Sequence, residues 1–129
     1  MKLSEVQTLL EAESAWEPNG DDFGAREVSS CHASDLISDM LSFWGPDSLL
    51  LTGLTNAQVI RTAEILDFVA VCFVRSKKPQ PETVEQARKK GIPLFVAPLS
   101  MYDSCARLAA EGLPAGASKK VIADWQTQK

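Results

Sequence analysis

The sequence predicts an α/β protein: a single three-layer domain with a mostly parallel sheet of four to five strands flanked by helices. Three observations indicate this class. Short apolar or β-rich segments alternate four times with segments of helical periodicity. The strand segments are apolar along most of their length, as in sheets that are covered on both faces. The 129 residues, 45% hydrophobic and 23% charged, have the size and composition of one ordinary globular domain.

The predicted elements are a helix and a short strand, followed by four strand–helix pairs. Connections of this length suit right-handed crossovers between parallel strands. In chain order, the predicted ranges are helix Ser4–Ala12, strand Glu13–Trp16, strand Val28–Ala33, helix Ser34–Trp44, strand Ser48–Thr52, helix Asn56–Asp67, strand Val69–Val74, helix Pro81–Lys90, strand Ile92–Ala97 and helix Ser100–Glu111.

Residues that cap helices set several of these boundaries. Thr55 and Gln58 have the spacing of a capping box. Pro81 suits the first position of a helix and Gly91 suits its stop. Ser100 is a candidate N-cap.

The predicted helix 34–44 begins at another candidate N-cap, Ser34. Apolar side chains then recur at helical spacing and predict one buried stripe. The stripe consists of Leu36, Ile37, Met40, Leu41 and Trp44.

We predict that residues 1–112 form the domain and that residues 113–129 form a C-terminal tail. The tail begins with a polar stretch rich in turn residues. Val121, Ile122 and Trp125 would allow part of it to dock on the domain as one short helix.

The charge pattern bears on the partners. A net charge of −4 lacks the basic footprint of proteins that bind a nucleic acid backbone, so no nucleic acid partner is expected. The charge is uneven, because residues 1–50 hold ten acidic and two basic residues, whereas residues 51–129 hold seven acidic and eleven basic ones. This asymmetry suits docking between subunits or to a partner protein, and a solvated surface explains it as well.

Cysteine usage and hydropathy predict a cytoplasmic protein. The three cysteines are isolated, without a CxxC pair, as is usual for reduced thiols. The longest apolar run, Phe68–Val74, is far below the ~20 residues of a membrane span. Acidic residues interrupt residues 1–13, where a signal sequence would be apolar. We therefore expect no membrane partner.

Polar side chains follow the predicted strands at their carboxyl ends, where ligands bind in open parallel sheets. Gly53 allows close approach of a backbone, and Arg75, Lys77 and Lys78 supply positive charge at the next turn. An anion, in particular a phosphate, would suit these turns. Plain turns with polar strand ends are the alternative. The candidate ligand-binding residues are Thr52, Gly53, Thr55, Arg75, Ser76, Lys77 and Ser100.

Catalytic motifs are missing from the sequence. It has no phosphate loop, no dinucleotide-binding glycine motif and no nucleophile elbow. His32 adjoins Cys31, but neighbouring strand residues point to opposite faces, so we interpret His32 as a buried or strand-end imidazole. Asp35 and Asp39 share a helix face that would suit a cation, and the preference for acids at helix starts explains Asp35 as well. We predict no catalytic residue, no metal site and no cofactor.

Several stretches together resemble the DRTGG domain. They are Ala33–Met40, Leu49–Asn56, Val69–Val74, the loop to Pro81-Glu82, and Gly91–Pro98. The DRTGG family is similar to the N-terminal domain of HPr kinase/phosphorylase and, more distantly, to the N-terminal domains of the Mur ligases. The resemblance covers roughly residues 1–112.

The sequence departs from this family at two turns. Family members often read T-G-D-R after the strand, where Leu54 and Thr55 follow Thr52-Gly53 here. They often read T-G-G after the next strand, where this chain has 75–77 as Arg-Ser-Lys.

The resemblance implies a non-catalytic regulatory or ligand-binding module that tends to dimerise. Such modules occur attached to CBS domains, phosphotransacetylases and regulated pyrophosphatases. We therefore expect a regulatory domain without enzymatic activity, a homodimer that binds a nucleotide or another anionic small molecule at the carboxyl ends of its strands. The alternative is a protein–protein interaction module without a small ligand.

Overall fold

The predicted alternation of strands and helices is present in the computed structural model, which describes residues 1–19 and 22–117. Nine of the ten predicted helices and strands are found, three of them with the predicted ends and six with ends shifted by one to three residues, whereas only a short helix lies within the predicted helix 34–44. The elements are α1 Leu3–Leu9, β1 Glu13–Trp16, a 3-10 helix at Phe23–Ala25, β2 Ser30–Ala33, α2 Ile37–Met40, β3 Ser48–Thr52, α3 Gln58–Leu66, β4 Ala70–Phe73, α4 Pro81–Lys90, β5 Leu94–Val96 and α5 Met101–Ala110.

The five strands form one sheet in the order β1-β5-β4-β3-β2. Strands β2 to β5 are parallel and each pairs with the next strand along the chain. Strand β1 pairs antiparallel with β5 and closes that side of the sheet. The predicted α/β class with a mostly parallel sheet is therefore confirmed.

Helices cover both faces of the sheet, as the apolar strands predict. Alternate strand residues point to opposite faces. Leu50 and Val71 belong to the core that contains residues of α2, α3 and α4. Leu49 and Leu51 belong to the core that contains residues of α1 and α5. The structure thus has three layers, with one buried apolar core on each side of the sheet.

The predicted bounds of α4 and the predicted N-cap of α5 are confirmed. Pro81 is the first residue of α4, and Gly91 follows its end with a φ of 71° that favours glycine. The Ser100 hydroxyl accepts a hydrogen bond of 3.0 Å from the Asp103 N–H, which makes it the N-cap of α5.

The prediction of one helix over residues 34–44 is wrong. The Ser34 hydroxyl accepts from the N–H of Leu36, a local turn that competes with a helix, and Leu36 itself is extended. Helix α2 ends at Met40, and the Trp44 N–H then donates to the Ala117 carbonyl at 2.9 Å. Of the predicted stripe, Met40 is fully buried, whereas Leu36, Leu41 and Trp44 are exposed.

Residues 113–117, at the start of the predicted tail, pack against the domain. Leu113 is buried in the core beside α5. The Cys31 N–H donates to Pro114 and the Cys31 carbonyl accepts from Gly116, so this segment pairs with the outer edge of β2. Gly116 lies so close to His32 that a Cβ there would overlap the imidazole. The short helix predicted around Val121, Ile122 and Trp125 lies outside the described residues.

Candidate functional site

The predicted ligand-binding turns lie on one edge of the sheet. Thr52, the last residue of β3, pairs with Phe73 at the end of β4, and Phe73 pairs with Val96 at the end of β5. Because these strands are parallel and end level, the residues that follow them meet at the same edge. We call this edge the carboxyl rim, formed by Ser34–Asp35, Gly53–Asn56, Val74–Lys78 and Ala97–Ser100.

The turn after β3, which we call the β3 turn, is closed by an aspartate from the end of β2. The Asp35 Oδ1 accepts a hydrogen bond of 2.6 Å from the Gly53 N–H. It also lies 3.5 Å from the Thr52 hydroxyl, which donates to it. Thr52 is fully buried, and its hydroxyl accepts from the Leu54 N–H. The Thr52 hydroxyl and the Gly53 N–H are therefore satisfied within the protein.

Thr55 is likewise held from inside the fold. Its carbonyl accepts from the Gln80 N–H at 3.1 Å and from the Thr83 hydroxyl at 2.6 Å, which ties the β3 turn to the start of α4. The predicted capping box of Thr55 and Gln58 is wrong, because α3 begins only at Gln58. The Asn56 Oδ1 accepts from the Gln58 N–H instead.

The turn after β4, which we call the β4 turn, has an unusual backbone. Arg75 and Ser76 both have positive φ, 58° and 56°, and the Lys77 N–H donates to the Val74 carbonyl at 3.2 Å. Two positive φ angles inside such a hydrogen-bonded turn are typical of a type I′ turn, which favours glycine or asparagine. The glycines that the resembling family often has in this stretch agree with that demand.

The backbone of the β4 turn is bound to the next loop of the rim. The Arg75 N–H donates to Leu99 and the Ser76 N–H donates to Ala97, each at 2.8 Å. These two N–H groups are therefore unavailable to a ligand.

The side chains of the β4 turn point into solvent. Arg75, Ser76, Lys77 and Lys78 are all exposed. Within residues 1–19 and 22–117, none of the three cations forms a salt bridge. Exposed cations without an internal counter-charge can bind an anion without first breaking an ion pair. Ser100 lies half-buried on the neighbouring loop. Its hydroxyl and its carbonyl each accept a hydrogen bond from the first turn of α5.

Sequence reasoning missed a cavity at the opposite edge of the sheet. About 440 Å³ of space lies where the chain enters β3, β4 and β5. Charged residues of both signs surround it, and two of them, Glu64 and Lys90, form a salt bridge of 3.0 Å. Asp47, directly before β3, and Asp67, at the end of α3, have positive φ, but acidic residues at such positions are too common to predict a cavity. The charged lining residues are Arg26, Glu27, Asp47, Glu64, Asp67 and Lys90.

The chemical environment of the candidate catalytic groups does not favour reactivity. Burial raises the pKa of Cys72 to about 12, and the thiols of Cys31 and Cys105 are also shifted upward by burial. Thiolates are the nucleophilic form of cysteine, so protonated thiols are poor nucleophiles. Burial lowers the pKa of His32, and its hydrogen bond to the Trp44 carbonyl offsets this in part. His32 is buried and stacks on Phe43, in agreement with its interpretation as a buried imidazole.

The described part of the chain lacks two further features. No group of three or more His, Cys, Asp or Glu side chains is arranged there to hold a metal ion, so Asp35 and Asp39 are not part of such a cluster. None of the helices there combines the length and the apolar character needed to cross a bilayer.

The fold and the rim together define a class: an α/β domain whose open, mostly parallel sheet ends in an exposed cationic turn. Ligand sites of such sheets lie at the carboxyl ends of the strands.

A solved structure of this fold is that of the CBS and DRTGG domains of the regulatory region of Clostridium perfringens pyrophosphatase, complexed with its activator diadenosine tetraphosphate. The TM-score is 0.67 and the sequence identity 16% over 91% of the present chain. The present chain spans only half, 50%, of that chain. No family model and no curated protein matches the sequence. The likeness supports a DRTGG-like α/β fold.

Proposed function

We propose that this protein is a non-catalytic regulatory domain of DRTGG type that binds a nucleotide or another anion at its carboxyl rim. The observation that carries the proposal is the β4 turn, where Arg75, Lys77 and Lys78 are exposed without salt bridges to described residues. Guanidinium and ammonium groups recognise phosphate oxygens through charge-assisted hydrogen bonds. We propose a cytoplasmic protein, as the composition predicts.

Within this proposal, the predicted ligand-binding residues have two different roles. Thr52, Gly53 and Thr55 are engaged in hydrogen bonds that hold the β3 turn. In the proposal they support the rim, while Arg75, Ser76 and Lys77 contact the anion from the β4 turn. Ser100 caps α5 beside that turn, so the positive end of the α5 dipole adds to the attraction for an anion.

The structural neighbour supports a regulatory role. That protein is a regulatory region bound to a nucleotide activator, and a related function for the present chain is consistent with the shared fold. The predicted similarity to the N-terminal domain of HPr kinase/phosphorylase remains part of this proposal. The raised pKa values of the thiols favour a domain without nucleophilic catalysis.

Titration calorimetry with inorganic pyrophosphate and with ADP tests the proposal. The wild-type protein should bind both, and the double variant Arg75→Ala/Lys77→Ala should bind each about tenfold or more weakly, because two phosphate contacts are lost. Lys90→Ala is the matched control, since Lys90 is an exposed cation that lines the cavity at the opposite edge.

Two outcomes would count against the proposed site. Wild-type protein that binds neither probe at millimolar concentration has no anion site of useful affinity. If Lys90→Ala weakens binding and Arg75→Ala/Lys77→Ala does not, the anion binds at the amino-terminal edge of the strands instead of at the carboxyl rim.

A module for protein–protein interaction is the second candidate function, with the homodimer as its simplest form. Leu36 and Leu41 flank the short helix α2 and are 59% and 51% exposed. In a dimer that uses this surface, Leu41→Asp should produce monomers in light scattering at micromolar concentration. Tyr102→Asp, at an exposed position on α5, should leave the dimer intact. A monomeric wild-type protein would contradict the dimer.

A further inference from the structure

At the β3 turn, a carboxylate of the protein stands where an anionic ligand would bind. Backbone N–H groups at the carboxyl end of a strand are frequent donors to phosphates. Here the Gly53 N–H donates to the Asp35 Oδ1 at 2.6 Å, and the Thr52 hydroxyl lies 3.5 Å from the same oxygen. A Cβ at Gly53 would come within 3.2 Å of that oxygen, so the absence of a side chain gives the carboxylate its place.

The other oxygen of Asp35 is available. Asp35 is exposed, and within the described residues its Oδ2 accepts no hydrogen bond. An ionised carboxylate only accepts hydrogen bonds, so it binds groups that donate them and repels anions. The rim therefore has an acceptor with negative charge at the β3 turn and donors with positive charge at the β4 turn.

We infer that Asp35 sets the orientation and the class of the ligand: an anion whose charged end lies on the β4 turn and whose neutral, hydrogen-bond-donating end lies on Asp35. The vicinal hydroxyls of a ribose are such a donating group, which makes a nucleotide the fitting class. This inference rests on the proposed function, because it assigns the second end of a ligand that Arg75 and Lys77 hold.

The spacing of the strands agrees with a ligand that has two different ends. Asp35 follows β2 and Arg75 lies in the β4 turn, two strands away, at a distance on the order of 10 Å for strands about 4.8 Å apart. A single phosphate is too small to contact both. A nucleoside diphosphate has phosphates at one end and ribose hydroxyls towards the other.

Titration calorimetry with three probes tests the inference: ADP, 2′,3′-dideoxy-ADP and inorganic pyrophosphate. Asp35→Asn is the test variant, because its amide oxygen can still accept from Gly53 while the negative charge is gone. Asp39→Asn is the matched control, since Asp39 is an exposed aspartate of the adjoining helix α2.

In wild type and Asp39→Asn, removal of the two hydroxyls should weaken binding about tenfold, as expected for hydrogen bonds to a charged acceptor. In Asp35→Asn, removal of the two hydroxyls should weaken binding about threefold or less, because the hydrogen bonds are no longer charge-assisted. Pyrophosphate should bind Asp35→Asn about fivefold more tightly than wild type, because a like charge has been removed.

The outcomes separate this inference from the proposed function. If wild type binds ADP and its dideoxy analogue with equal affinity, the role of Asp35 is overturned without any variant. The proposed function still stands in that case, provided that pyrophosphate binding depends on Arg75 and Lys77. An equal hydroxyl effect in wild type and Asp35→Asn overturns the role of Asp35 too. Absence of binding by all three probes overturns both.

Discussion

The β3 turn and the β4 turn occupy equivalent positions at the ends of neighbouring strands, yet they differ in where their polar groups point. At the β3 turn, the Thr52 hydroxyl and the Gly53 N–H are bound to Asp35. At the β4 turn, the backbone is bound to the next loop, but Arg75 and Lys77 extend into solvent. A position at the carboxyl rim is therefore not enough to make a residue a ligand contact. What decides it is whether the protein itself already satisfies the group.

The two turns also differ in the conformational free energy of their backbones. The Asp35 carboxylate supports the β3 turn, and Gly53 provides the space that it needs. In the β4 turn, by contrast, Arg75 and Ser76 adopt positive φ, which residues with a side chain reach at a cost of roughly 1 kcal/mol or more. The chain retains cationic and polar side chains where glycine would be more stable. The proposed binding role gives a reason for this cost, because strained backbone is often found at functional sites.

The largest difference between the turns should appear when a buried hydroxyl is removed. Thr52→Val should lower the free energy of unfolding by about 2 kcal/mol, because the partly buried Leu54 N–H loses its acceptor. Urea denaturation measures this change. Thr55→Val is the matched control, since Thr55 uses its backbone carbonyl and should change stability by less than about 0.5 kcal/mol. Equal effects of the two substitutions would contradict the internal role of the Thr52 hydroxyl.

Like the Thr52 hydroxyl, the imidazole of His32 in β2 has its hydrogen-bond partner within the protein. Its burial should make the stability of the protein depend on pH. Its pKa in the folded protein is lowered from the ordinary value of 6.5 by burial. As the pH falls below about 6.5, the unfolded chain takes up a proton that the folded protein resists, so stability must decrease. The slope contributed by this single histidine is at most about 1.4 kcal/mol per pH unit.

Urea denaturation of wild type and His32→Gln between pH 7.5 and pH 5.5 measures that contribution. The wild-type protein should lose stability over this range, and the variant should lose less because it has no imidazole to protonate. A wild-type curve that rises towards acidic pH, or one parallel to that of the variant, would show that the buried imidazole does not oppose protonation.

The smallest expected effect concerns the backbone of the β4 turn. Ser76→Gly should raise the free energy of unfolding by about 0.5–1 kcal/mol, because glycine adopts the positive φ of this position without steric cost. Lys77→Gly is the control: Lys77 has no positive φ, so glycine should destabilise or leave stability unchanged. Destabilisation by Ser76→Gly would remove the argument that this turn is strained.

Much of the fold is predictable from the sequence because its signals are local. Pro81 and Gly91 mark the ends of α4, and Ser100 marks the start of α5, through effects that depend only on their own backbone positions. The same reasoning failed for the segment 34–44, because its apolar spacing suits a helix while the local turn of Ser34 and a tertiary contact favour another structure. The pairing of Trp44 with Ala117, distant in sequence, diverts the chain after Met40.

The candidate site was predictable only in part for a related reason. Parallel strand order implies that Gly53 and Arg75 share an edge, and the structure has them there. That Asp35 would reach across to Gly53 depends on a contact between two strands, which no sequence spacing encodes. The cavity at the amino-terminal edge, between residues from four separate segments such as Asp47 and Lys90, has no local signal either.

The most direct test of the central claim is a titration of the ¹⁵N-labelled protein with inorganic pyrophosphate, followed by its amide NMR shifts. We predict that the largest saturable changes fall on Arg75–Lys78 and on the adjoining Leu99–Met101, with smaller changes at Gly53. Largest changes at Arg26, Asp67 and Lys90–Gly91 would place the anion in the cavity at the opposite edge of the sheet and contradict the account.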